Sequence, residues 1–311
     1  MREYVSRGAD STRWSRFDLR PDDVIISTPS KCGTTWMQSL VGMLLLDRID
    51  LGAPITAISP WLDARLVAEE DVVALLDAQD HRRFIKTHTP VDGFPRPPGV
   101  TTITVVRHPL DVALSDRDHD HNSDRAQARR LLAAARPDST GSTVDSSARG
   151  DEPPTGDAEY LRWWIAREQA HLGTGPHGLL DLCPQARLSW EARDAPGKAL
   201  FHYGDLWSDL EAEVRVLADV LGVSPSARRI AEIVEAGTLD SMRARAADTA
   251  PFAELGVWKD TSAFFRVGGT RPWAQMLPPA DLDHFHVRLA DLAGDAADWI
   301  LEGRAALDRA V

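Results

Sequence analysis

The chain has 311 residues, of which 43% are hydrophobic and 26% charged, and its formal net charge at neutral pH is −12. The length fits one large α/β domain or two small domains with a sizeable core, and both fractions are those of a soluble globular protein. The acidic balance argues against a nucleic-acid partner and against adhesion to anionic lipid, because both of those surfaces are negatively charged.

Two cysteines, Cys32 and Cys183, are too few for a disulfide framework and are typical of a reducing compartment. The charged N-terminal stretch lacks the apolar centre of a signal peptide, and no apolar run is long enough to cross a bilayer. The sequence therefore predicts a cytoplasmic protein without integral membrane association. It leaves the oligomeric state open.

The first predicted elements are a buried strand at residues 22–27, a tight loop, and a helix that begins near Thr34. Three β-branched residues in a row favour the strand, and apolar residues recur at helical spacing from Trp36 onwards. Unpaired amides and the positive end of the helix dipole meet at such a turn, so it favours a bound anion.

The loop carries donors suited to phosphate or sulfate. Lys31 adds a mobile cation, Gly33 lets the backbone approach a ligand closely, and Thr34 and Thr35 add hydroxyl groups. The standard triphosphate loop, G-x-x-x-x-G-K-[ST], is absent, since the lysine precedes the glycine by two positions. An ordinary strand–helix turn with a stray lysine is the alternative.

A short helix is predicted over residues 69–78, and a second strand within residues 83–90 ends in polar residues. Ligands of an open parallel sheet gather outside the carboxyl ends of its strands. Lys86 and His88 would lie at such an end, on the same side of the extended chain. Taken alone, His88 is either a general base or a structural hydrogen-bonding group.

A third strand is predicted over Thr101–Val106, and Pro109 followed by Asp111 favours a helix start just after it. Arg107 at the strand end and Ser115 two turns into that helix can bind one anion, the arginine as a fork and the serine as a hydroxyl donor. The alternative for Arg107 is a salt-bridged surface arginine.

Residues 116–121 alternate acids with histidines, but their spacing fits no closed metal-ligand set, so a solvated segment is favoured. His119 or His121 could instead face a substrate pocket. From residue 122 to residue 157 the composition is rich in Arg, Ala, Ser, Asp, Gly and Pro. A helix is expected over residues 125–135 and a mobile stretch over residues 137–154, together forming an insertion or lid within the domain.

The remaining chain alternates helices with one further strand. The strand is predicted over residues 199–203, and the helices over residues 160–172, 210–221, 227–236 and 280–293. A glycine-containing loop at residues 264–273 precedes the last helix, and no internal repeat is present.

Five stretches together resemble the cytosolic-type sulfotransferases, which transfer a sulfuryl group from 3′-phosphoadenosine 5′-phosphosulfate (PAPS) to a hydroxyl. Residues 31–36 resemble the family loop K-[SA]-G-T-T-W, residues 86–90 its K-T-H-x-P segment, and residues 107–115 its R-[ND]-P-x-D-x-x-x-S motif. Residues 203–206 resemble Y-[EG]-D-[LM], and residues 266–273 resemble R-K-G-x-x-G-x-W. Departures are Cys32, His108, Val267 in place of a lysine, and Arg271 in place of a glycine.

The resemblance runs from about residue 22 to about residue 300 and implies an α/β fold. It implies a single domain over residues 1–311, with a central parallel sheet flanked by helices, like that of nucleotide kinases and other proteins with phosphate-binding loops. The implied catalytic residues are His88 as the general base and the lysines Lys31 and Lys86. The implied PAPS-binding residues are Lys31, Cys32, Gly33, Thr34, Thr35, Trp36, Arg107, Ser115, Tyr203, Arg266, Val267 and Gly268.

No metal is expected, because cationic side chains can stabilise the charge of the leaving nucleotide. One alternative is a nucleotide-dependent small-molecule kinase, which would need a magnesium-binding carboxylate and a lysine after Gly33. Another is a non-catalytic nucleotide-binding protein, which would not need Lys86 and His88 together. The expected partner is a small molecule with a hydroxyl; phenols, steroids, glycolipids, sugars and natural products all remain open.

Overall fold

A computed structural model describes residues 1–6, 8–135, 153–168, 178–265, 268–269 and 272–310. In this part of the chain four parallel strands form one sheet in the order β2-β1-β3-β4, namely β1 Val24–Ser27, β2 Phe84–Thr87, β3 Thr101–Val106 and β4 Lys198–His202. The α-helices are α1 Thr34–Leu45, α2 Ile55–Ile58, α3 Glu69–Asp77, α4 Pro109–Asn122, α5 Arg125–Ala134, α6 Asp157–Ala166, α7 Leu179–Glu191, α8 Tyr203–Ser208, α9 Leu210–Leu221, α10 Ala227–Ala236, α11 Leu239–Ala244, α12 Ala246–Thr249, α13 Trp273–Met276, α14 Pro279–Ala293, α15 Ala297–Glu302 and α16 Arg304–Arg309.

Helices cover both faces of the sheet, which explains why its strands read as continuous apolar runs. Ile26 and Ile103 pack with α1, α9 and α10 on one face. Ile25 and Ile85 pack on the other face with Trp14, and Val106 joins a cluster built from α4, α6, α7 and α14. The predicted α/β architecture with a central parallel sheet is confirmed.

Most predicted elements have the expected bounds, and the exceptions have local causes. The predicted last strand residue, Tyr203, instead begins α8, because the His202 ring caps that helix by accepting from the Gly204 amide at 3.0 Å. Helix α7 was not predicted, and Pro184 in its second turn disguises it, since an internal proline usually ends a helix.

Several predicted features lie wholly or partly outside the described residues. Most of the expected mobile stretch at residues 137–154 does so, as do Arg266, Val267 and Arg271. The expected helix over residues 125–135 is present as α5. Within the described ranges, no helix is both long and apolar enough to cross a membrane.

A buried ion pair ties together the beginnings of three neighbouring strands, β2, β1 and β3. Asp23, just before β1, accepts from the Arg83 side chain just before β2, with Nε at 2.8 Å and Nη2 at 2.5 Å. The Asp23 carbonyl also accepts from the Thr101 amide at the start of β3, at 2.9 Å. Both charged side chains are almost fully buried, at 1% exposure or less, so each needs the other.

We expect Asp23→Ala to lower the free energy of unfolding by about 3–5 kcal/mol, because it leaves the Arg83 guanidinium charged, buried and without its main partner. Urea unfolding followed by circular dichroism measures this loss. Asp22→Ala is the matched control, since Asp22 is adjacent but exposed. A loss for Asp23→Ala no larger than that of the control would contradict the proposed role of the pair.

Candidate active site

Four strand ends meet at one edge of the sheet and bring the predicted site residues together. Because Ser27 pairs with Thr87 and Val106 pairs with His202, the residues that follow each strand emerge side by side. These are the loop after β1, His88 after β2, Arg107 after β3 and Tyr203 after β4. The sheet order changes direction around β1, which is where open α/β sheets form their ligand crevice.

The loop between β1 and α1, residues 28–33, is termed the anion loop, because a turn from a strand into a helix N-terminus favours a bound anion. Two of its residues have left-handed backbone, Lys31 with φ of 65° and Gly33 with φ of 96°. A Cβ on Gly33 would lie 2.9 Å from the Tyr203 ring, so this position needs glycine both for its conformation and for space. Helix α1 follows directly, and the Thr34 hydroxyl shares a short hydrogen bond with that of Thr28.

Cys32 differs from its neighbours in the loop, because its side chain belongs to the hydrophobic core. The thiol is fully buried in the cluster that contains Val106 and Leu110, and burial raises its pKa to about 12. The thiol is therefore a packing group, and only the backbone of Cys32 is available to a ligand.

His88 is held in one tautomer by its neighbour. Its Nδ1 lies 2.8 Å from the Thr28 carbonyl oxygen, and a carbonyl can only accept, so Nδ1 carries the proton. In the neutral ring the lone pair is then on Nε2, which is the arrangement that a general base requires. The Trp61 ring packs against the imidazole at 4.9 Å in an edge-on arrangement and fixes its orientation.

Two lysines near this histidine are held in surroundings that disfavour their charge. Burial lowers the pKa of Lys86 to about 7, with a further contribution from the positive charge of Lys31. Burial lowers the pKa of Lys31 to about 8. The Lys86 ammonium lies 4.3 Å from the centre of the Trp61 ring, a cation–π contact. A bound anion would favour the charged form of both lysines.

Arg107 is buried and incompletely satisfied. Its Nη2 donates to the Gly269 carbonyl at 2.9 Å and its guanidinium stacks on the Tyr203 ring at 4.0 Å. Its Nε is buried without a hydrogen-bond partner among the described residues. A buried cationic donor in this state indicates a place for an anion. Ser115 lies partly buried on α4, two turns beyond Arg107.

Aromatic rings border the anion loop. Trp36 meets Tyr203 at 5.2 Å and Trp207 at 6.5 Å between ring centres, both edge-on. Trp207 is 47% exposed and packs closely against Gly268 and Gly269. A Cβ on Gly268 would collide with its ring at 2.0 Å. These rings offer aromatic surface of the kind on which a nucleotide base stacks.

Sequence reasoning missed two side chains that complete the site, Trp207 and Asp63, and it named a third, His119, only as a residue that could face a substrate pocket. His119 contacts Lys31 at 2.7 Å, and Trp207 faces the glycine loop. Asp63 is fully buried and accepts from the Thr87 and Thr89 hydroxyls, at 2.7 and 2.5 Å, on either side of His88. The sequence signal for a residue such as Asp63 was the pair of threonines that flank His88. Both hydroxyls point into the protein, where they need a hydrogen-bond acceptor.

The predicted glycine Gly268 lies in the site, whereas Arg266 and Val267 are outside the described residues. His108, a departure from the family motif, stacks on Trp273 at 4.3 Å, and burial lowers its pKa to about 3. Among the described residues no group of three or more His, Cys, Asp or Glu is arranged to hold a metal ion.

Comparison with known proteins shows the family to which the chain belongs. Residues 21–295 match the family described as the sulfotransferase domain. The chain belongs to the sulfotransferase family. It is 38% identical to a glycolipid sulfotransferase of Mycobacterium bovis (strain BCG / Pasteur 1173P2) over 314 residues, covering 99% of this chain and 96% of the relative. It is 23% identical to rat sulfotransferase 1A1 over 287 residues, covering 90% and 87% of the two chains.

Solved structures share the fold of this sulfotransferase. One is retinol dehydratase in complex with androsterone and the inactive cofactor PAP, with a TM-score of 0.67, 18% identity, and coverage of 94% of this chain and 88% of that one. Another is a mouse sulfotransferase complexed with PAP, with a TM-score of 0.64, 16% identity, and coverage of 96% and 92%. The family match decides in favour of a sulfuryl-transferring enzyme over the kinase and the non-catalytic alternatives.

We expect Gly33→Ala to impair this sulfotransferase in two separable ways. The left-handed backbone costs any L-residue about 1–2 kcal/mol of folding free energy, and the added methyl group also displaces Tyr203. Displacement of the loop should lower turnover on the order of 10²-fold. Turnover and urea unfolding measure the two effects.

Gly222→Ala is the matched control. Gly222 also has left-handed backbone, with φ of 67°, but its Cβ would meet nothing within 4 Å. The Gly222→Ala variant should lose about the same folding free energy, about 1–2 kcal/mol, from its left-handed backbone and should keep its turnover. Equal turnover in the two variants would contradict the close packing of Gly33 against Tyr203.

Proposed function

We propose that this enzyme transfers the sulfuryl group of PAPS to a hydroxyl of a glycolipid, with His88 as the general base. The observation that carries the proposal is the meeting of a preformed anion loop, a buried arginine and an oriented histidine at adjacent strand ends. Each group has a different partner in the reaction, so the donor, the leaving group and the acceptor can be treated in turn.

The donor proposal rests on the fit between the chain and a nucleotide with two separate phosphates. The loop amides with Thr34 and Thr35 would hold the 5′-phosphosulfate, while the unsatisfied Nε of Arg107, with Ser115, would hold the 3′-phosphate. Trp36 and Tyr203 would contact the adenine. Gly268 follows Arg266 and Val267. The resemblance predicts that these two residues bind PAPS, and they would extend the 3′-phosphate site.

The transfer step needs a donor that stabilises the leaving oxygen and a base that removes the acceptor proton. Sulfur forms a bond to the acceptor oxygen as its bond to the bridging phosphate oxygen breaks, and that electron pair stays on the nucleotide as phosphate charge. Lys31 donates to this oxygen as charge develops, and Lys86 donates to the sulfuryl oxygens. The acceptor proton passes to Nε2 of His88, the nitrogen that carries the lone pair.

A glycolipid acceptor is favoured by the rings around the catalytic groups and by the relatives. Trp61 lies beside His88, Phe264 lies 5.1 Å from the Lys31 ammonium, and Trp258 packs on Phe264 at 5.1 Å. Flat aromatic faces suit the apolar faces of sugar rings, and polar groups between them suit sugar hydroxyls. Radiolabelled PAPS offered with glycolipids, a sterol and a phenol tests this choice; transfer to the sterol or the phenol alone would refute it.

We place the reaction in the cytoplasm. Cys32 and Cys183 are both free and buried, which suits a reducing compartment. Thiol labelling of the denatured protein after rapid lysis would detect both cysteines if this assignment is right.

We expect adenosine 3′,5′-bisphosphate to bind about 10- to 100-fold more tightly than AMP, because AMP leaves the buried Arg107 without its anion. Calorimetry measures both affinities. Arg107→Gln should bring the two affinities together by weakening only the bisphosphate. Arg215→Gln, which removes one exposed and distant cation, is the control for overall charge. Equal affinity of the wild type for both nucleotides would rule out the 3′-phosphate site.

We expect His88→Asn to lower turnover by about 10² to 10⁴, the usual contribution of a positioned general base. The asparagine amide can still donate to the Thr28 carbonyl, so the loop should keep its structure. Affinity for adenosine 3′,5′-bisphosphate should hardly change, because His88 faces the acceptor. His284→Asn, an exposed change on α14, is the control. Full turnover of the His88 variant on an alcohol would end this mechanism.

A further inference from the structure

One contact in the site belongs to no motif of the sequence. The Lys31 ammonium lies 2.7 Å from Nδ1 of His119, the distance of a good hydrogen bond. An ammonium group can only donate, so Nδ1 of His119 must accept, and the neutral ring then carries its proton on Nε2. His119 is therefore a neutral acceptor for the lysine that the proposed function assigns to the leaving group.

The fold places His119 for this contact. His119 lies one helical turn beyond Ser115 on α4, so both side chains are on the face of α4 that meets the anion loop. Its ring is bracketed by Trp258 at 4.8 Å and Phe264 at 6.0 Å, both edge-on. Rings on two sides restrict the rotation of the imidazole, so its acceptor atom stays directed at Lys31.

Acidic side chains already lie near Lys31, so a neutral hydrogen-bond acceptor can orient its ammonium group without adding further negative charge. Asp116 and Asp118, also on α4, favour the charged form of Lys31, whereas Arg107 disfavours it. A carboxylate in direct contact would hold the ammonium by charge and compete with the donor's phosphate. An imidazole nitrogen instead takes one N–H by a neutral hydrogen bond and leaves the other two N–H groups for the anion.

We propose that His119 is a positioning residue that orients the Lys31 ammonium towards the leaving oxygen. The inference rests on the proposed role of Lys31, and it adds a second histidine to the site with a task different from that of His88. His119 acts through Lys31 and touches neither the departing sulfuryl group nor the acceptor proton.

The test is a double-mutant cycle in turnover with Lys31→Met and His119→Ala. His119→Ala should lower turnover about tenfold in the wild-type background and leave it unchanged in the Lys31→Met background. His119→Asn should recover most of the loss, because the asparagine oxygen falls where Nδ1 lies. His121→Ala is the matched control, since His121 is on the same helix with its side chain exposed.

The outcomes separate this inference from the proposed function. If Lys31→Met alone keeps normal turnover, the leaving-group role of Lys31 fails and the inference fails with it. If Lys31→Met is impaired but His119→Ala costs nothing, or costs the same in both backgrounds, only the inference is overturned. Failure of His119→Asn to recover turnover, with the fold intact by circular dichroism, would also overturn it.

Discussion

The parallel register of β1 with its two neighbours is the constraint on which the rest of the molecule depends. Ile26 opposes Lys86 and Ser27 opposes Thr87, so the loop after β1 and the histidine after β2 emerge together. Side chains alternate between faces of a sheet, and a slip of one residue would turn Lys86 to the opposite face. The Asp23–Arg83 pair fixes this register from the far end of the strands.

The site concentrates positive charge inside an acidic protein. The net charge is −12, yet Lys31, Lys86 and Arg107 lie together at one edge of the sheet. Burial makes charge on the two lysines unfavourable, and the arginine keeps an unsatisfied donor. An anion that entered would relieve all three conditions at once, as the proposed donor site requires.

Local patterns predicted the backbone of the site well. The β-branched run before the loop, the helical spacing after Trp36 and the strand before Arg107 placed β1, α1 and β3 within two residues of their positions. The resemblance added His88 and Lys86, whose strand end alone left their roles open. The predictions of β1, α1 and β3 succeeded because they depend on residues that are close in sequence.

Contacts between distant segments could not be predicted in the same way. His119 reaches Lys31 across 88 positions, and the direction in which the Cys32 thiol points depends on packing against α4. Trp207 lies beside Gly268 because its helix, α8, follows β4 directly, and β4 ends next to Arg107. Helix α7 was hidden by its proline, which the helix accommodates because its packed face includes Leu182 and Trp190.

A crystal structure with adenosine 3′,5′-bisphosphate bound is the sharpest test of the proposed donor site, because both phosphates should lie at one edge of the sheet. The 5′-phosphate should lie on the amides and hydroxyls of residues 31–35, and the 3′-phosphate on Arg107 and Ser115. The adenine should lie against the rings of Trp36 and Tyr203. A nucleotide bound elsewhere, or bound with its 3′-phosphate away from Arg107, would contradict the proposed donor site.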